Sequence, residues 1–227
     1  MSDKTECPEH RGEPANNCGP CRADALASGG PALTAYLADQ EHGRCDRAFA
    51  PRYLGARPDH PEVAAWVEQF RTNPKDVPSL LINGPTGTGK THQAHGALRV
   101  AVTAGQRPRV DWRITSAPDL YARLRPRDGV DSETEMHGWR TAGLLLLDDL
   151  GAAKASEWTE EITYRLIDHR YTHCLPTILT TNVPTANLRE QLGDRVASRL
   201  SEMCTRVTLT GGDRRRQRPI PSVTEKE

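Results

Sequence analysis

The run GPTGTGKT, Gly84 to Thr91, carries three glycines, a lysine and a threonine at the spacing G-x-x-x-x-G-K-[ST]. Gly84, Gly87 and Gly89 let the backbone turn tightly, so that several N–H groups converge on one anion. A helix beginning here adds its positive end to the same point. Pro85, Thr86 and Thr88 complete the loop, and His92 closes the run that would touch ATP. Lys90 is placed to neutralise β- and γ-phosphate oxygens, and Thr91 to offer its hydroxyl to Mg²⁺. Beyond that contact, and His10 apart, the histidines lack ligand spacing and read as surface or packing residues.

Two further stretches supply what a phosphate cradle needs before it can do chemistry. LLLLDDLG, Leu144 to Gly151, ends four aliphatics in two carboxylates. At the carboxyl edge of a parallel sheet, where ligands of open α/β folds bind, Asp148 would hold Mg²⁺ and Asp149 would polarise the attacking water. A turn-capping role for Asp149 is the competing reading. In TILTTNVP, Asn182 follows a strand and would orient that water beside the γ-phosphate. An asparagine in that place is otherwise a turn former; the two preceding motifs favour the sensing role.

The N-terminal stretch CPEHRGEPANNCGPC offers a different chemistry. Cys7, His10, Cys18 and Cys21 form a C-x2-H and a C-x2-C pair joined by a polar loop. Such pairs suit tetrahedral Zn²⁺ with every position filled by protein, hence a structural site. So short a segment has almost no core, and the metal would supply its folding energy. A phosphate loop implies a reducing compartment, where clustered cysteines bind metal more readily than they form disulfides. Cys45, Cys174 and Cys204 stand alone and read as small buried or half-buried residues.

The elements that must position these groups follow from the patterning. The expected organisation is a zinc-binding module over 1–22, a helical linker over 23–76, an α/β domain over 77–212 and a flexible tail over 213–227. Within the linker, Ala-rich sequence breaks at Gly29-Gly30-Pro31, and Val63, Trp66, Val67 and Phe70 recur at helical spacing. That stripe reads as a lid packed on the α/β domain rather than a partner site. From Ser79 onward strands alternate with helices: strands over 79–83, 109–115, 143–150, 177–181 and 206–210, helices over 91–103, 119–124, 158–173 and 188–203. This alternation predicts a five-stranded parallel sheet flanked by helices. Thirty basic and thirty acidic residues cancel, so overall charge gives no argument for nucleic acid. The longest aliphatic run has four residues and no N-terminal apolar segment is present, so a cytoplasmic chain is expected.

The set GPTGTGKT, LLLLDDLG, TTN, LGDRVASRL and GGDRRR, in that order over roughly Val77 to Arg216, resembles the AAA+ ATPases of the DnaC/IstB group. These are helicase loaders and transposition helper ATPases. The resemblance implies an AAA+ P-loop fold, ATP and Mg²⁺ as ligands, and assembly of several copies around the nucleotide. It further implies that Arg199 reaches the nucleotide of a neighbouring subunit, with Arg195 as second choice, and that Arg216 acts as a second sensor. A planar guanidinium suits that task because it can meet two equatorial oxygens of the transferring phosphoryl group. Many AAA+ proteins have Glu where this chain has Asp149, which suggests slow hydrolysis.

Arginines also cluster at Arg107, Arg109, Arg113, Arg123, Arg125 and Arg127, and at Arg214, Arg215, Arg216 and Arg218. With Trp112 and Tyr121 to stack on bases, they could follow a single DNA strand. The first functional expectation is therefore an oligomerising replication ATPase that binds single-stranded DNA and loads or remodels a replicative helicase. The alternatives are a transposition helper, with a phage or mobile element as its source, and a non-hydrolysing adaptor that uses ATP as a switch. A zinc module before a helical linker fits docking to the helicase.

Overall fold

Strands over 79–83 and 177–181 are buried along their whole length and 144–147 likewise, as the inner strands of a parallel sheet covered by helices on both faces are. The computed structural model describes residues 31–103, 110–129 and 131–213. Its strands are β1 (Ser79–Asn83), β2 (Trp112–Ser116), β3 (Leu144–Leu150), β4 (Thr177–Thr181) and β5 (Cys204–Thr208). All pair in parallel, in the spatial order β2-β3-β4-β1-β5. The helices are α1 (Pro31–Ala48), α2 (Pro61–Thr72), α3 (Lys90–Val102), α4 (Ala117–Leu124), α5 (Ser132–Thr141), α6 (Glu157–Thr172), α7 (Leu188–Leu192) and α8 (Asp194–Met203).

Side chains alternate between the faces of the sheet. Leu80, Ile82, Leu144, Leu146, Ile178 and Val207 pack with α1, α2 and α3, including Val63, Trp66, Val67 and Phe70. Leu81, Leu145, Leu147 and Leu179 pack with α4 to α8 on the other side. The stripe on α2 is therefore core, and Trp66 Nε1 also donates to the Pro78 carbonyl at 2.6 Å. Among the described residues no helix is long and apolar enough to cross a membrane.

Several boundaries differ from the sequence reading. The single helix expected over 188–203 is two, α7 and α8, because Gly193 adopts φ 81 between them. Glycine tolerates that conformation at no steric penalty. Helix α5 was not expected; its apolar residues are sparse, with only Met136 and Trp139 buried. Strand β2 begins at Trp112 and β5 at Cys204 rather than at 109 and 206. Cys45 is buried and Cys204 half-buried as expected, but Cys174 is exposed in a turn at φ 50.

A buried arginine and a close backbone approach pin the layers. Arg170, fully buried, donates to the Trp139, Arg140, Ala142 and Pro176 carbonyls and to Thr177 Oγ1 at 2.7–3.3 Å. It serves the C-terminal carbonyls of α5 with a cation, which helix ends favour. Burial pulls its pKa down to about 9. On the opposite face the backbone around Arg57 lies directly on α3. A Cβ added to Gly96 would come 2.6 Å from Arg57 Cα and 2.7 Å from its nitrogen.

Candidate functional site

The carboxyl ends of β1, β3 and β4 lie side by side, with β4 in the middle. Each of the expected groups leaves from one of them. The loop Gly84–Gly89 follows β1, Asp148 and Asp149 end β3, and Asn182 follows β4. The loop turns through positive φ at Gly84 (148), Gly87 (87) and Gly89 (97), where side chains are strained. Gly89 then caps α3, which begins at Lys90. Lys90 is buried, and its ammonium donates to Pro85 O at 2.9 Å, where Thr88 Oγ1 also donates. Loop, helix start and lysine are thus assembled as a cradle for a polyphosphate.

Thr91 and Asp148 meet across the cleft, Thr91 Oγ1 donating to Asp148 Oδ1 at 3.2 Å. Two hard oxygen donors beside a phosphate cradle match what Mg²⁺ takes from protein in nucleotide sites. The residues present therefore fit that ion. Burial pushes the Asp148 carboxyl above its ordinary value, opposed by hydrogen bonds from Thr180 and Thr91. A nearby cation favours the ionised form. Asp149 takes φ 54, and its N–H donates to Thr180 Oγ1 at 2.9 Å. Asn182 is exposed at the end of β4.

Arg199 does not stand free on its helix. It pairs with Asp168 on α6 and donates to Tyr164 Oη at 3.4 Å, and its guanidinium lies 5.0 and 5.6 Å from the rings of Tyr164 and Tyr171. Arg195, one turn away, is exposed, with its guanidinium 5.6 Å from the Tyr164 ring. Arg216, the four N-terminal residues Cys7, His10, Cys18 and Cys21, and Arg107, Arg109, Arg214, Arg215 and Arg218 lie outside the described residues. Trp112 and Tyr121 correct the reading: both are buried, hydrogen-bonded to Glu41 and Thr163. Neither ring is available to a base. Arg123, Arg125 and Arg127 are exposed, and Arg125 sits 5.8 Å over the Trp158 ring.

Sequence reasoning missed Thr180, Asn83, Gln93 and the chain after β5, and for His92 it missed a structural contact. Thr180 contacts both aspartates. Asn83 accepts from Thr208 Oγ1 at 2.8 Å and donates to Thr185 Oγ1 at 3.2 Å, tying β5 to the turn after Asn182. His92 accepts the Arg57 N–H at 3.4 Å, and Gln93 Oε1 accepts that of His60 at 3.0 Å. The segment before α2 is thereby seated on the start of α3. Finally, the chain after β5 crosses the phosphate loop. A Cβ on Gly84 would run into the Leu209 carbonyl, and one on Gly87 into the Asp213 carboxylate. Only the threonine had a visible signal, a polar residue directly after Ile178 and Leu179 in a fully buried strand.

Known proteins place this geometry. The sequence model of the family described as IstB-like ATP binding protein matches residues 70–219. The replicative helicase loader DnaC of Escherichia coli (strain K12) is 26% identical over 138 residues, 60% of this chain and 54% of that protein. The phage-like element PBSX protein XkdC of Bacillus subtilis (strain 168) is 25% identical over 149 residues, 63% of this chain and 53% of that protein. This chain thus spans about half the length of these curated relatives. A crystal structure of the DnaC helicase loader superposes with TM-score 0.61 at 27% identity, covering 71% of this chain and 100% of that one. With a parallel sheet in the order β2-β3-β4-β1-β5 and a phosphate loop after β1, the chain belongs to the IstB-like ATP-binding proteins, within the AAA+ P-loop fold.

Proposed function

We propose that the protein is an ATPase that assembles in several copies on single-stranded DNA and loads or remodels a replicative helicase. The observation that carries the reading is the meeting of Thr91 and Asp148 beside a loop already turned for phosphates, in a chain similar to DnaC. Lys90 and the loop N–H groups hold the β- and γ-phosphates, and Thr91 and Asp148 hold Mg²⁺. The ion, when bound, neutralises charge on the phosphate oxygens. Asp149 accepts a proton from the attacking water and Asn182 orients that water. Arg199 from a neighbouring copy, with Arg195 the second choice, meets the equatorial oxygens, and Arg216 senses the nucleotide from its own chain. Arg199 must leave Asp168 to do so, which makes assembly a condition of turnover. Arg123, Arg125 and Arg127 contribute sequence-tolerant phosphate contacts to DNA. The zinc module formed by Cys7, His10, Cys18 and Cys21 docks the helicase.

Size-exclusion chromatography with a non-hydrolysable ATP analogue and Mg²⁺, with and without single-stranded DNA, tests the reading. An ATP-dependent oligomer stabilised by DNA is expected; a monomer under every condition would refute it. A transposition helper is the second reading, favoured by the match to the IstB-like family itself. Recovery of a transposase instead of a helicase by the full-length chain would select it. Asp149→Asn separates both from an ATP-switch adaptor, since only an adaptor would keep its biological activity without hydrolysis.

A further inference from the structure

Thr180 takes no part in the chemistry above, yet it is the residue that joins the two aspartates. It is fully buried in β4, flanked in sequence by Leu179 and Thr181. A buried hydroxyl must find partners, and this one has two. It donates to Asp148 Oδ1 at 2.5 Å and accepts the Asp149 N–H at 2.9 Å. The directions follow from chemistry: an ionised carboxylate only accepts and a peptide N–H only donates. The hydroxyl proton is therefore aimed at Asp148.

The backbone explains why such a clamp is needed. Leu147 pairs with Leu179 but Leu150 pairs with Thr181, so β3 carries one residue more than β4 between them. This is a β-bulge, a device that re-aims side chains beside active sites. Asp149 holds the bulge in the left-handed region, φ 54, which aspartate tolerates better than most residues. The two threonines brace it from both ends. Thr181 Oγ1 donates to Leu150 O at 2.7 Å and accepts the Val183 N–H at 3.1 Å, while Thr180 ties down the aspartates. Asp148 Oδ1 also accepts from Thr91, but Thr91 is assigned to the cation. Thr180 is the other side-chain hydroxyl on this carboxylate, beside the Asp149 backbone N–H, and the one free to orient it.

We propose that Thr180 is a positioning residue: its hydroxyl sets Asp148 for Mg²⁺ capture and fixes the bulge that presents Asp149. The inference rests on the reading of this cleft as a Mg²⁺–ATP site. The test uses the full chain with Thr180→Val, which keeps the shape and β-propensity and removes the hydroxyl, and with Thr180→Ser, which restores it. ATP binding in EDTA should be unchanged in both. The Mg²⁺ concentration that half-maximally tightens ATP binding should rise about tenfold in Thr180→Val, as for other groups that orient a metal ligand. Turnover should fall by at least a similar factor, with KM less affected, and Thr180→Ser should return both towards wild type. In an Asp148→Asn background, Thr180→Val should have no further effect on the Mg²⁺ response. If Thr180→Val does not melt cooperatively, Thr180→Ala takes its place with the same readouts. Wild-type Mg²⁺ response and turnover in Thr180→Val would overturn the inference, as would an equal loss of binding in EDTA. If the wild type itself gains no ATP affinity from Mg²⁺, it is the reading of the cleft that fails.

Discussion

His95 links acidity to the seating of the N-terminal helices on the nucleotide-binding core. It is buried one turn after Thr91, with its ring stacked on Tyr53 at 4.3 Å and edge-on to Phe49 at 4.8 Å. Its Nδ1 lies 2.8 Å from the Thr91 carbonyl oxygen, so the neutral ring donates there. Burial pulls its pKa down from 6.5 to about 4. The unfolded chain therefore takes up the proton first as pH falls. Stability is full above the unfolded value and drops between about pH 6.5 and pH 4. With those two values the loss between pH 7 and pH 5 is about 2 kcal/mol from this residue. The assay is urea unfolding of wild type and His95→Gln at several pH values in that window. Glutamine keeps a donor for Thr91 but cannot titrate. Other groups contribute equally to both proteins, so the difference in pH slope isolates His95. Wild type should lose about 2 kcal/mol more than the variant across the window. Parallel curves would refute the reasoning, whatever the variant's stability at neutral pH.

Two other expectations follow from contacts and a third from the spacing of Cys7, His10, Cys18 and Cys21. Gly96→Ala places a methyl against the Arg57 backbone and should cost about 1–3 kcal/mol in thermal or urea unfolding, as overpacking does. Asp213→Asn removes a negative charge lying against Gly87 in the phosphate loop, and fluorescence titration should show ATP binding about fivefold tighter, equivalent to about 1 kcal/mol. Metal analysis of the full chain should find one Zn²⁺ per molecule, lost in Cys18→Ser; a metal-free wild type prepared with zinc present would contradict the ligand set.

Strands β1, β3 and β4 were legible because each carries a short apolar run, and β1 and β4 were read to the residue; β2 and β5 mix polar residues in, and their starts were misplaced. In the candidate site, the residues legible in sequence were those that a phosphate loop calls for in fixed order, the glycines, Lys90 and Thr91, and the paired aspartates, which the fold brings to the same edge of the sheet. What escaped depends on tertiary contact. Trp112 and Tyr121 look like base-stacking rings in an arginine-rich segment, but Glu41 and Thr163 hold them inside. Arg199 looks like an exposed helix residue, and only folding brings Asp168, Tyr164 and Tyr171 around it. The clamp at Thr180 depends on a one-residue register slip that no local pattern encodes.

Calorimetric titration of a non-hydrolysable ATP analogue with Mg²⁺ into wild type and Lys90→Ala addresses the nucleotide site most directly. One site per chain is expected in the wild type, with binding about 100-fold weaker once the ammonium that now rests on Pro85 O is gone. No binding by the wild type at millimolar nucleotide, or equal binding by both proteins, would contradict it.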